Sequence, residues 1–294
     1  MKISFYTTCG NRLQHLSKTL PENIKSNLHY ENVEHVVLDY GSTDGLTDYI
    51  LDTFPEYLKS GRLKYYSYPA KFFWHNHAKN MAAKCTSKDA DIICSIDSDN
   101  FTGEDKESTS LAQYLYNIFS DTKNRKDFFV RAVGWDYHED SWGSRKFQSI
   151  SRSTKYASAS GKIAFKRGDF FKMRGFNEDL KGYFYDEEEL WRRAIVCWDF
   201  ERIELPVEFS KFIHHSNYLR LSNLDPNIVA KDTIMDEYLD FCIENTMTEQ
   251  MGAKMYPQST TNRVIMHNIL REKTKIPNKK NWGTGTPKRI RLKR

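Results

Sequence analysis

The stretch DIICSIDSDN at residues 91–100 decides the fold. Residues 91–96 are short and apolar enough for a strand buried on both faces. That strand runs out into Asp97, Ser98 and Asp99. Two carboxylates two residues apart at a strand end offer hard oxygen ligands to a divalent cation, which can in turn bind a diphosphate. A D-x-D triplet is also common in solvated turns; its place directly after a buried strand favours the functional reading.

Outward from this strand the first hundred residues alternate. Residues 2–8 (KISFYTT), 33–38 (VEHVVL) and 63–68 (LKYYSY) read as strands. Leu13, Leu16, Leu20 and Ile24 recur at helical spacing, with Pro21 placed to kink or split that helix. Leu46, Tyr49 and Ile50 mark a short helix, and Ala78, Met81, Ala82 and Cys85 a longer one with a narrow apolar stripe. Strand–helix alternation predicts an α/β fold with a mostly parallel sheet and right-handed crossovers. Such sheets bind ligands at the carboxyl ends of their strands. Thr7, Thr8 and Cys9, then Asp39, then Asp97 to Asp99 are the residues expected at that edge.

The second half is less regular. Gly161 to Phe165 reads as a strand, residues 186–198 as a helix, and Met235, Tyr238, Leu239 and Cys242 as one helix face. One domain is expected over residues 1–270. From Arg271 to Arg294 there are ten Lys or Arg against one acid, Glu272, or +9, which leaves −4 for the rest of a chain whose net charge is +5. With Pro277, Gly283, Gly285 and Pro287, residues 271–294 read as a flexible basic arm.

Cys9, Cys85, Cys94, Cys197 and Cys242 are odd in number and form no CxxC pair, which argues against a disulfide framework and a zinc site and for a reducing compartment. No apolar run is long enough to cross a bilayer, and the N-terminus lacks the apolar stretch of a signal peptide. The expected location is the cytoplasm, or a host cell's cytoplasm if the source is viral.

Three further segments carry candidate chemistry. In Asp39-Tyr40-Gly41-Ser42-Thr43-Asp44-Gly45 the glycines suit a tight loop and Ser42 or Thr43 a helix cap. Asp39 is left over, at the ligand edge, for a nucleotide base or ribose. Asp186, Glu187, Glu188 and Glu189 follow a run of aromatics. A helix start accounts for about two of these acids, and a carboxylate beside aromatic rings can have a raised pKa and act as a general base. In KFIHHSNY, adjacent His214 and His215 would face opposite ways in a strand, so one imidazole at most would complete a carboxylate-based metal shell.

FYTTCGNR, LDYGSTDG, HNHAKNMAAK and ICSIDSDN, in that order over residues 1–100, resemble the family 2 glycosyltransferases of the GT-A fold. The second half is similar to the carboxyl-terminal part of the β-1,4-galactosyltransferases: SGKIAF, then Gly175-Phe176-Asn177-Glu178, GYFYDEEELWRR and FIHHSN. The resemblance implies a metal-dependent, inverting glycosyltransferase with Mn²⁺ or Mg²⁺ and a nucleoside-diphosphate sugar, UDP-sugar by default. It implies Asp99 and His215 as metal ligands and Asp39 as the base contact. Thr7, Thr8 and Arg12 fall to the donor loop, and Asp97 to the ribose or a metal-bound water. Tyr183 becomes a sugar-stacking aromatic, Glu187 the catalytic base, and Glu188 and Asp186 its neighbours at the acceptor. The stretch Trp142 to Arg145 is the candidate closing loop. Phe184 and Tyr185 depart from the small residues of the family's pattern, and Glu187 from its Asp.

The acceptor hydroxyl is expected on a glycan or glycolipid. The basic arm also suits an anionic membrane surface or nucleic acid, and in the latter case hydroxymethylated pyrimidines of viral DNA, flipped into the aromatic site. A non-catalytic nucleotide-sugar-binding protein is the alternative of another class. A nucleotidyltransferase fits poorly, because TTCGNR has one glycine where a phosphate loop needs several.

Overall fold

Val36, Leu38 and Tyr40 alternate with Val33 and Val37 along the strand, and the two sets pack into different apolar clusters. That period of two places helices on both faces of the sheet. The computed structural model describes residues 1–121, 126–132, 161–182, 184–213, 223–228 and 258–292, and the backbone of 136–139 and 145–148. The expected helix around Met235–Cys242 lies outside these residues.

In chain order the elements are β1 (Ile3–Cys9), α1 (Leu13–Ser26), β2 (Val33–Tyr40), α2 (Leu46–Thr53), α3 (Pro55–Ser60), β3 (Leu63–Tyr68), α4 (His75–Cys85) and β4 (Ile92–Ser95). These are followed by α5 (Leu111–Ser120), β5 (Phe128–Arg131), β6 (Asp136–Glu139), β7 (Arg145–Gln148), β8 (Ile163–Lys166), α6 (Arg167–Lys172), α7 (Asp186–Trp198) and β9 (Glu201–Glu204). The last described are α8 (Gln258–Arg271) and β10 (Lys288–Ile290).

The main sheet runs β10-β3-β2-β1-β4-β8-β5-β9, and β6 pairs with β7 in a separate antiparallel ribbon. β3, β2, β1 and β4 are mutually parallel, and β10 and β8 run against their neighbours. The order 3-2-1-4 sets a reversal beside β1, with Cys9 in register with Asp39. One face is covered by α4, α6 and α7, around Met81, Phe170 and Leu190. On the other, α1 and α2 bury Leu16, Leu20 and Ile50, and α5 buries Leu111 and Leu115.

Pro21 does not split α1, which runs unbroken for 14 residues. Proline has no N–H for the Ser17 carbonyl one turn back; the Tyr49 hydroxyl donates to that oxygen instead, at 3.1 Å.

Residues 271–292 correct the expectation of a flexible arm. Trp282 is buried among Phe170, Phe171 and Phe176, and β10 extends the sheet at β3. Asn278 Nδ2 donates to the Arg174 and Phe176 carbonyls, at 2.6 and 2.5 Å. The charged side chains face outward while one indole and the backbone pack inward, so residue 270 does not separate packed from free chain.

Candidate active site

Parallel strands deliver their carboxyl ends, and the loops after them, to one edge of the sheet. The loops after β1 and β2 are latched to each other there. Asn11 N donates to Ser42 Oγ (3.0 Å), Thr43 N to Asn11 Oδ1 (2.7 Å) and Leu13 N to Asp44 Oδ2 (2.8 Å). Ser42 and Thr43 therefore do not cap α2, as their position suggested. Gly45, in the left-handed region at φ 84°, is the N-cap, and Asp44 serves the start of α1.

Thr7 and Thr8 end β1 and are buried, and Arg12 sits at the N-terminus of α1. Asp39 is buried at the end of β2. Its Oδ1 accepts from Ser42 N and its Oδ2 from the Tyr65 hydroxyl, both at 2.8 Å. The carboxylate thus holds the 41–45 loop closed as well as standing at the ligand edge.

Asp97 follows β4. A methyl group on Gly161 would lie 1.9 Å from its Oδ2, so only glycine lets the carboxylate occupy this position. Lys79 of α4, 1% exposed, places its Nζ 3.2 Å from Asp97 Oδ1 and also donates to Glu187 Oε1. This buried ammonium joins the strand-end triplet to the acidic start of α7, two segments ninety residues apart in sequence. The attraction of the two carboxylates outweighs its desolvation and holds Lys79 well above its ordinary pKa. Burial raises the pKa of Asp97, and nearby Glu187 and Asp99 push the same way. Burial also raises Glu187, followed by the Asp186 carboxylate. Asp186 Oδ2 lies 3.8 Å from His75 Nδ1. Burial, and then Lys79, depress His75 to about 4, so the imidazole is neutral at pH 7.

The four acids of α7 divide by helical geometry. Glu188 pairs with Arg192 at 2.8 Å and Glu189 with Arg193 at 2.6 Å, both one turn on. Arg193 also donates to the Met173 and Gly175 carbonyls. Glu189 is therefore part of the core, Glu188 is held along its own helix, and Asp186 and Glu187 face the sheet edge. The backbone before them turns through φ 74° at Phe184 and 68° at Tyr185. This left-handed conformation strains a residue with a Cβ by about 1–2 kcal/mol. It is the conformation expected of small residues, held here by two aromatics.

Asp99 accepts from Ile213 N at its carbonyl (2.8 Å) and from Asn100 Nδ2 at its carboxylate (2.8 Å), and Asn100 bridges Phe212. The chain therefore passes Asp99 immediately before His214. His214, His215, Tyr183 and residues 142–144 lie outside the described residues, as do the side chains of β6 and β7. Among the described residues no three His, Cys, Asp or Glu side chains converge on one metal position. Asp97 and Asp99 fit a hard divalent cation in donor type. The cluster also carries more carboxylates than its one lysine neutralises.

Two lysines that sequence reading passed over organise this edge. Lys79 lies within HNHAKNMAAK, and its signal was a polar set, Asn76, Lys79 and Asn80, at helical spacing beside the apolar stripe. Lys162, fully buried, donates to the carbonyls of Phe101 (2.7 Å) and Phe209, tying the triplet loop to the segment before His214. Burial lowers its pKa to about 8.

The α/β sheet, with a parallel 3-2-1-4 core and paired carboxylates past a central strand, has the architecture of the GT-A class. Residues 4–173 match the sequence profile of Glycosyl transferase family 2, and the chain belongs to that family. Among curated proteins none matches the sequence. Of solved structures, Staphylococcus aureus TarS 1–349 in complex with UDP-GlcNAc is 13% identical with a TM-score of 0.50, covering 93% of this chain and 72% of that one. The Pyrobaculum calidifontis mannosyltransferase PcManGT, in complex with GDP-Man and Mn²⁺, is 18% identical with a TM-score of 0.48, over 70% of this chain and 55% of that one. The catalytic domain of Drosophila β1,4-galactosyltransferase 7 with xylobiose is 13% identical with a TM-score of 0.44, over 76% and 75%. The chain spans 55% of the UDP complex of TarS 1–349. At these identities the likeness concerns the fold alone. No helix among the described residues is long and apolar enough to cross a membrane.

Proposed function

We propose that this chain transfers a sugar, with inversion, from a nucleoside-diphosphate sugar to a hydroxyl of a saccharide acceptor, with Glu187 as the general base. The observation that carries the reading is the buried Lys79 bridge, which sets Glu187 beside Asp97 at the edge where family and fold expect the donor.

Glu187 takes the proton from the acceptor hydroxyl as that oxygen attacks the anomeric carbon. Burial raises its pKa, which makes the carboxylate a stronger base than a free one. Asp186 stays beside it, and Lys79 orients it. Thr7, Thr8, Arg12 and Asp39 line the nucleotide side, with Asp97 at the ribose or a metal-bound water, and Tyr183 stacks on the sugar. Asp99 and His215 would hold Mn²⁺ or Mg²⁺; His215 follows the segment that Ile213 ties to Asp99. When bound, the cation supplies charge neutralisation for the departing diphosphate. UDP is the default nucleotide, by likeness to the family.

A second reading has one observation in its favour. Arg271, Lys273, Lys275, Lys279, Lys280, Lys288 and Arg291 are exposed on a packed C-terminal segment, a set of cations available to DNA phosphates. The acceptor would then be a hydroxymethylated pyrimidine. A non-catalytic sugar-nucleotide binder is the third possibility.

Mass spectrometry of turnover separates the three. With Mn²⁺ and a panel of nucleotide sugars, a sugar-sized mass added to a simple glycan is expected, whereas mass on hydroxymethylated duplex DNA would install the second reading. Glu187→Gln should keep donor binding and lower turnover by roughly a hundredfold. Turnover near wild type would remove Glu187 from the role. Donor binding without turnover by the wild type on any acceptor would favour the binder.

A further inference from the structure

Leu16, Leu20 and Ile24 recur one turn apart along α1 and pack into one apolar cluster. A second stripe runs beside them. Thr19, Asn23 and Asn27 share that spacing and are polar, yet none is more than 5% exposed. Threonine and asparagine are poor choices inside a helix, where rotamer restriction and competition for backbone groups count against them. A buried polar side chain also costs free energy unless it is hydrogen-bonded. Asn27 serves the start of α5, accepting from Ala112 N at 2.9 Å. Thr19 and Asn23 serve the loop after β4.

Every backbone carbonyl of that loop from Asp97 to Phe101 accepts a hydrogen bond. Asn100 N donates to Asp97 O at 2.9 Å, within the loop. The other donors come from distant segments. Thr19 Oγ1 donates to Ser98 O at 2.7 Å, Ile213 N to Asp99 O at 2.8 Å, Asn23 Nδ2 to Asn100 O at 3.0 Å and Lys162 Nζ to Phe101 O at 2.7 Å. Asn23 Oδ1 in turn accepts from Thr102 N at 2.6 Å. The Asn23 amide thus meets residues 100 and 102 with one donor and one acceptor, as a peptide unit of a neighbouring strand would. Pairing of buried backbone explains the bonds at Asn100 and Thr102, which are 1% and 0% exposed. It does not by itself call for Thr19 at Ser98, a residue partly open to solvent.

We infer that Thr19 and Asn23 are positioning residues for the Asp97-Ser98-Asp99 triplet, holding its backbone so that a divalent cation meets two carboxylates already placed. The inference deepens the transfer reading and rests on it for the cation. With the backbone held at Ser98 and again at Asn100, only side-chain torsions are left to adjust Asp97 and Asp99. Such preorganisation raises affinity by removing the ordering that binding otherwise requires.

The test is Mn²⁺ binding to the full chain, alone and with UDP, followed by the relaxation of water protons. Asn23→Leu keeps the side chain's size and removes both of its bonds to the loop. Thr19→Val is nearly isosteric and removes the bond to Ser98. Ile50→Ala truncates a buried side chain of α2 in the cluster beneath α1, which includes no residue of the loop, and serves as the stability control. At a temperature where all are folded, Asn23→Leu should bind Mn²⁺ about tenfold more weakly, as metal sites do when a partner of their ligands is lost. Thr19→Val should shift the same way by less, and Ile50→Ala should bind as the wild type does. Should Asn23→Leu not fold, Thr19→Val carries the test. Wild-type affinity in the folded stripe variants overturns the proposal. So does an equal loss in Ile50→Ala, since any destabilisation would then weaken the site. A wild type that binds no Mn²⁺, with or without UDP, removes the cation from the transfer reading and this proposal with it, a failure distinct from wild-type binding that the stripe variants leave unchanged.

Discussion

At the scale of single residues, the site depends on an atom that is not there. Gly161 has no Cβ, and the space it leaves is filled by the Asp97 carboxylate. No positive φ is required at Gly161, so alanine costs nothing in backbone conformation; its whole effect is to push Asp97 aside. Gly161→Ala should therefore lose roughly a hundredfold in turnover, as expected when a site group shifts by about 1 Å, and melt below the wild type because Asp97 is pushed from the buried Lys79. Wild-type turnover in this variant would show that Asp97 has no part in the reaction. Phe184 and Tyr185 teach the complementary lesson. The backbone there takes the left-handed path that small residues adopt freely, although both positions carry aromatic side chains, and it leads directly into α7.

At the scale of elements, α4 is the hub. It buries Ala78, Met81 and Ala82 against the sheet and turns Asn76, Lys79 and Asn80 toward residues far along the chain. Asn80 alone exchanges bonds with Phe176 and Glu178 at 2.8 Å each. Lys79→Met would leave the half-buried Asp97 and Glu187 side by side without their counter-charge, a loss that partial exposure of the carboxylates holds below the about 3–5 kcal/mol of a fully buried pair. Urea unfolding at neutral pH should show that loss. A stability unchanged from wild type would mean that solvent or a cation already compensates the two carboxylates. The apolar stripe of this helix was legible because a run of Ala, Met and Cys at helical spacing has one physical use. The polar stripe was not, since its partners at 97, 176, 178 and 187 become neighbours only when β4, the 175–180 turn and α7 meet. For the same reason β1 to β4 could be read from sequence, as short apolar runs between turn residues, whereas β5, β9 and α8 lack so clean a pattern. Of the site, Asp39, Asp97, Asp99 and the acidic run were visible as unexplained carboxylates at strand or helix ends. Their division into bound, core and surface roles needed the arginines one turn along α7.

At the scale of the whole molecule, the match to the family stops at residue 173, yet the chain that follows closes the structure. After α7 and α8 it returns as a strap over α4. Trp282 inserts beside Phe170, Phe171 and Phe176; Gly283 N donates to Glu178 Oε1 at 2.5 Å; Thr284 O lies 2.7 Å from His77 Nε2; and β10 zips onto β3. Lys84 both donates to the Trp282 carbonyl and sits 4.3 Å over its ring. Composition misled here because it counts side chains: ten cations outweigh one tryptophan in any average, although the tryptophan and the backbone hydrogen bonds carry the burial. The strap holds the C-terminal half of α4, and α4 holds Lys79, so its removal should act on stability and on the site together. Deleting residues 272–294 should lower the melting temperature sharply and abolish donor binding, and Trp282→Ala alone should cost about 3–5 kcal/mol as a large buried aromatic replaced by a methyl group. Replacing the exposed Lys279 and Lys280 by Gln separates the alternatives: it removes charge but none of these contacts, so melting and donor binding should stay as in the wild type. A deletion that melted like the full chain would return residues 271–294 to the status of a free basic arm. A loss confined to Trp282→Ala and the deletion, with the lysine variant intact, would establish that this segment acts by packing against the hub helix and not by its charge.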